Sequence, residues 1–168
     1  MIYTRIFRFW LFSLSCVSLL PQAYAYDNLR QEEVARRGAQ LMPFSLEKTL
    51  HEFTKTPDGG VQRVIVRNAE DSEQIPLIRQ HLAQLAQQFA LGDFSGPESI
   101  HGSQMPGLQT LKTAKPGSLQ IQYQEDALGA SLTFHSVEPR VINAVHDWFS
   151  AQVHDHGPDA EMHRMHHQ

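Results

Sequence analysis

LHEFTKTPDGGVQRVIVR, residues 50–67, reads as two strands joined by a turn. Pro57, Asp58, Gly59 and Gly60 separate two β-prone runs, and turn-forming residues in that position predict a β-hairpin. On the second arm Val64 and Val66 share one face, and Val61 and Ile65 share the other. The next segment, DSEQIPLIRQHLAQLAQQFAL (71–91), changes period. Ile75, Ile78, Leu82, Leu85 and Phe89 recur every three or four residues, the pattern of an amphipathic helix with one core-facing stripe. Pro76 is tolerable only near the first turn of that helix, and Gly92 stands where a C-terminal cap belongs.

The same order then recurs. SLQIQYQ (118–124) and ASLTFHSV (130–137) alternate apolar and polar residues on either side of the turn EDALG. A last helix starts at Pro139, a residue suited to a first turn, and buries Val141, Ile142, Val145, Trp148 and Phe149. Gly157 and Pro158 stop it. Between the two halves, residues 92–117 are rich in Gly and Pro and read as loop, with one short helical segment around Leu108–Leu111. The ββαββα order predicts an α+β fold: two hairpins forming one four-stranded antiparallel sheet, with two amphipathic helices on one face. The folded domain is expected over 42–157.

The ends differ in character. Arg5 and Arg8 precede the apolar run FWLFSLSCVSLL, and Ala23 and Ala25 form a small-x-small cleavage pattern, so residues 1–25 read as a secretory signal peptide. The run is too short to span a bilayer, which leaves a mature chain without a transmembrane segment. The expected location is periplasmic or secreted. Residues 26–41 form a polar leader, helical or loose, and residues 158–168 a His/Met-rich tail expected to be disordered. The chain carries 14 Lys+Arg against 18 Asp+Glu. Removing Arg5 and Arg8 leaves 12 basic residues and a balance of −6. That charge disfavours nucleic acid and anionic lipid as partners. Cys16 is the only cysteine, so a processed chain has neither disulfides nor a thiolate nucleophile.

Histidine is the compositional anomaly: ten residues, seven of them within 135–168. With thiols absent, imidazole is the natural ligand for copper, zinc or nickel, supported by thioether. His81 and His146 lie at the rims of their helical stripes, and His101 and Met105 sit in the loop SIHGSQMPGL (99–108). His156 follows the last helix. These five residues form the candidate metal site, with Met105 as a soft, optional ligand; His163, His166 and His167 of the tail form a secondary one. His51 shares strand parity with Phe53 and reads as a hydrogen-bonded core histidine, and His135 as a solvated one. Helical rise separates His146 from His156 by about 15 Å. His101 is therefore expected to join either the His81/His146 level or His156, not both. A Gly-rich phosphate loop, a nucleophile elbow and Cys-based zinc spacing do not occur, so a nucleotide cofactor is not expected. A hydrolase using His101 or His146 as base, oriented by Asp93 or Asp155, is the enzymatic alternative.

MPFSLEKTLHEFTKTPDGGVQ (42–62), QHLAQLAQQFALGDFSGPESIHGSQMPGL (80–108) and VHDWFSAQVHDHGPDA (145–160) resemble a family of small exported bacterial proteins. Members of that family are often labelled aspartate carbamoyltransferase. The resemblance covers residues 42–160 and implies an exported chain, with carbamoyl transfer as the activity of the label. The Ser-Thr-Arg-Thr turn by which true carbamoyltransferases cradle carbamoyl phosphate does not occur in this sequence.

Overall fold

The hairpin forms as its sequence predicts, and the sheet grows from it. The computed structural model describes residues 20–163, with side chains from residue 26 onward. Helix α1 spans Leu20–Leu41, strands β1 and β2 Thr49–Thr56 and Gly59–Val66, and helix α2 Gln74–Ala90. Two short helices follow, α3 (Ser95–His101) and α4 (Leu108–Lys112). Then come β3 (Gln120–Asp126), β4 (Gly129–His135), α5 (Pro139–His156), a 3-10 turn and β5 (Ala160–His163).

The sheet order is β3-β4-β2-β1-β5. The first four strands pair antiparallel, with β2 against β4 joining the two hairpins. One sheet face carries Phe53, Val64, Val66, Ala130, Leu132 and Phe134, all buried. Helix α2 covers β3 and β4 on that face, and α5 covers β2, β1 and β5. Helices α1 and α4 pack on the outside of α5, and α1 also touches α3. Trp148 anchors the centre: its ring meets Phe94 and Phe89 edge-on at 5.7 Å and Phe134 at 5.6 Å. Gly107 lets α4 come this close, since at φ 77° a Cβ there would stand 2.1 Å from the carbonyl oxygen of Ala144.

Three expectations need correction. The sheet has five strands, because Ala160–His163 pairs in parallel with His51–Thr54 of β1. The tail expected to be disordered from residue 158 is thus ordered to His163, while His166 and His167 lie outside the described residues. Four residues with little apolar bulk carry no pattern of their own; the open edge of β1 supplies the hydrogen-bond partners. Ala160 is buried there and Met162 packs against the core. The polar leader, expected as helical or loose, is not loose: it is the last sixteen residues of a 22-residue helix, held by Val34 in the core and by cross-helix hydrogen bonds from Arg30, Gln31 and Arg37. The Gly/Pro loop contains α3, which has seven residues, too short for a periodic stripe. Burial of Phe94 and Ile100 holds it in place instead. The proposed signal segment lies largely outside the described residues.

Ending the chain after Asp159 removes β5, whereas ending it after His163 keeps it. The shorter chain is expected to melt about 2–8 °C lower than the longer one, a loss of the order of 1–2 kcal/mol. Equal melting temperatures would show that the strand contributes nothing to stability.

Candidate functional site: a histidine-lined cavity

Helix α5 presents Trp148, Gln152 and His156 at four-residue steps, which places an indole, an amide and an imidazole along one face. All three are buried. Opposite them the sheet contributes His51 from β1 and Gln62 from β2, one strand pair apart in register, since His51 faces Val64 and Phe53 faces Gln62. Helix α2 adds His81 and α3 adds His101. These side chains line one cavity of about 230 Å³, whose remaining wall is largely apolar, including Leu85, Phe89, Pro97 and Ile100. Among the described residues, no hydroxyl, thiol or formally charged side chain lines it.

The imidazoles form a chain. His51 and His156 stack with ring centres 5.0 Å apart and planes 10° from parallel. His101 meets His156 at the same separation, 5.0 Å, but with planes at 73°. Phe44 lies edge-on to His81 at 5.6 Å. Burial pushes the imidazolium form of His51 down to about 4, with the neighbouring His81 adding to the effect. Burial also lowers His81, and it takes His156 well below the usual range, assisted by His51 and His101. Neutral imidazoles with available lone pairs are the consequence near pH 7.

His101 differs from the others because a carboxylate stands behind it. Its Nδ1 lies 2.8 Å from Oδ2 of Asp155, and Arg30 donates from Nε to Oδ1 of the same carboxylate at 3.0 Å. Arg30 also donates to the His101 carbonyl at 2.6 Å, so one guanidinium ties α1 to both α3 and α5. Burial acts to raise the Asp155 carboxyl, but the hydrogen bonds from His101 and Arg30 outweigh it and hold the group ionised, well below the usual carboxylate range. An ionised Asp155 accepts Nδ1–H of His101, so that in the neutral ring Nε2 is the nitrogen that carries the free lone pair. His101 separates two spaces. It lines the cavity on one side and, with Arg30 and Asp155, an open groove on the other.

The structure brings together His81, His101 and His156 of the sequence-derived set and adds His51. It does not bring in His146 or Met105. His146 Nε2 lies 2.9 Å from the carbonyls of Thr56 and Gly59, so this ring ties α5 to the first hairpin. Met105 is a buried core residue and faces the outer groove. The either-or expectation for His101 resolves towards His156, but His81 lines the same cavity while His146 does not. His51 differs from its core reading in one respect: its Nδ1 is buried without a hydrogen-bond partner. The partner absent from a buried ring nitrogen is a tertiary fact, and strand parity alone signals only burial. Asp155 is the orienter of His101, while Asp93 instead accepts from the backbone of Ser95 at 3.0 Å.

Among the described residues, three metal-type donor atoms come within 4.8 Å of one another only at Glu52, Glu161 and His163. That group is partly exposed and already engaged: Glu52 takes Arg63 at 2.7 Å, and Glu161 takes His163 at 2.7 Å. The cavity histidines therefore form an open set rather than a closed cage.

The neutral, buried imidazoles make stability depend on pH in a definite direction. The unfolded chain binds protons on His51 and His156 near pH 6.5, whereas the folded chain does so on His51 only near 4. Stability is then complete above about pH 6.5 and lost as pH falls towards 4, with His51 alone accounting for about 3 kcal/mol. Urea midpoints for the metal-free protein are expected to drop between pH 7.5 and 4.5, and less steeply in His51→Gln. A flat midpoint across that interval contradicts the assignment.

Comparisons of this chain with protein-family models, with curated proteins and with solved structures give no match.

Proposed function

We propose that this is an exported, non-catalytic binding protein of the periplasm that takes a transition-metal ion, copper, zinc or nickel, in the histidine cavity. The observation that carries this reading is the convergence of His51, His81, His101 and His156 from four separate elements on one cavity. His101 and His156 are the pair suited to chelation. A metal bound at about 2.1 Å sits roughly 3.2 Å from each ring centre. Ring centres 5.0 Å apart then subtend about 100° at the ion, near the tetrahedral angle. The near-parallel His51 ring shares no such point with His156, and supports it by stacking. Asp155 behind His101 is the carboxylate–histidine arrangement that fixes a ligand's tautomer and strengthens its basicity. Water or a ligand from solution would complete so open a coordination sphere. The His/Met tract at the C-terminus would collect the same ions weakly.

Titration of Zn(II) and Cu(II) into the chain ended after His163, with His163→Ala, tests the cavity apart from the tail. One equivalent is expected to bind, with affinity falling at least tenfold in His101→Ala and in His156→Ala. Circular dichroism would verify that both variants fold. Binding that survives both substitutions, or no stoichiometric binding at all, refutes the metal reading.

The His101–Asp155–Arg30 chain favours one second reading, in which His101 is a general base acting on water within the cavity. For the carbamoyl transfer implied by the family resemblance, no cationic side chain among the described residues lines the cavity to neutralise a phosphate. Carbamoyl-aspartate formation by the purified protein, abolished in His101→Ala, would establish the enzymatic reading in place of the binding one.

A further inference from the structure

Among the described residues, three that line this cavity each carry a buried polar atom without a hydrogen-bond partner: His51 Nδ1, Gln62 Oε1 and Trp148 Nε1. These residues are 2 %, 6 % and 1 % exposed. A buried polar atom left unpaired costs about 1–3 kcal/mol, and native interiors rarely tolerate it. Three such residues around one cavity, Trp148 on the helix side and His51 and Gln62 on the sheet side, point to partners supplied by the cavity's contents. Two of them lie away from the proposed metal pair. Trp148 is two helical turns before His156 on α5, about 12 Å along the axis, and Gln62 is two residues along β2 from the partner of His51.

We propose that the Trp148–Gln62 end of the cavity binds a compact, uncharged organic molecule whose polar head both donates and accepts hydrogen bonds, as a primary carboxamide does. Trp148 N–H can only donate, so the ligand must present an acceptor to it. The free Gln62 carbonyl oxygen needs a donor from the same ligand. Leu85, Phe89 and Ile100 supply apolar wall for the body of the molecule. A carboxylate or ammonium would be buried against neutral walls with no opposite charge and would leave water at large cost. The volume of about 230 Å³ matches seven or eight waters, which limits the ligand to about the size of a single substituted ring. This inference shares the cavity with the metal reading but needs no metal, and the two fail separately.

The test uses three molecules of one shape: benzamide, benzoate and benzylamine. Trp10 and Trp148 are the only tryptophans in the chain, so Trp10→Phe leaves one indole reporter. Benzamide is expected to shift the Trp148 indole N–H resonance saturably in metal-free protein. Benzoate and benzylamine should bind at least about tenfold more weakly. Gln62→Leu should weaken benzamide at least fivefold. Gln84→Leu, a change on the cavity rim that removes no orphaned atom, should leave its affinity within twofold. Equal binding of all three molecules, an unaffected Gln62→Leu variant, or no saturable shift with any of them overturns the proposal, the last meaning that the cavity holds water alone. A protein that binds benzamide but neither Zn(II) nor Cu(II) would refute the metal reading and leave this one standing.

Discussion

Asp155 is the side chain on which the site depends. It sits in the last turn of α5, is 6 % exposed, and accepts from Arg30 of α1 and His101 of α3. Three helices that share no continuous apolar stripe thereby meet at one carboxylate. Removing one member would strand a buried charge, which costs more than the intact pair contributes. The same contact selects the tautomer of His101 and closes the cavity towards the outer groove. A structural constraint and a chemical one therefore coincide in a single hydrogen-bonded ion pair.

Helix α5 acts as the ruler of the cavity. Its buried side alternates between two duties. Val141, Val145 and Phe149 fill the core against the sheet, while Trp148, Gln152 and His156 face the open volume. Because both sets recur at helical spacing, the cavity inherits a gradient, from aromatic and amide groups near the centre of the fold to imidazoles near its edge. The edge strand β5 finishes that gradient, since its pairing with β1 places Ala160 opposite His51. His51 is thereby kept from solvent and from protons. A buried imidazole without a partner on Nδ1 is unfavourable for folding alone, and such strain is characteristic of sites that bind something.

Much of the architecture was legible because it rests on local periodicity. Both hairpins, α2 and α5 follow from period-2 and period-3.6 patterns and from Pro and Gly at their ends. Three elements were not legible. The seven residues of α3 include Gly96 and Pro97 and hold no stripe, so only burial of Phe94 and Ile100 and the reach of Arg30 and Arg37 define them. The four residues of β5 are strand because β1 offers an edge. Residues 26–41 of α1 read only as helical or loose because they have little apolar content, and their place is set by Val34 and by polar contacts to distant residues.

The same division runs through the site. The sequence by itself determined that histidine is in excess, that thiols are scarce, and that His156 stands at the end of the last helix, while His101 read only as a loop residue. It also determined that His51 shares the buried face of its strand, because parity is local. Which imidazoles meet was decided by tertiary structure alone. His146 and His156 lie ten residues apart on one helix, yet one ring bonds the first hairpin and the other stacks on His51. Their azimuths and heights relative to the sheet depend on how α5 docks, and docking is fixed by the whole core. Distances between residues far apart in sequence, such as the 125 positions from Arg30 to Asp155, are set by packing that no local pattern encodes.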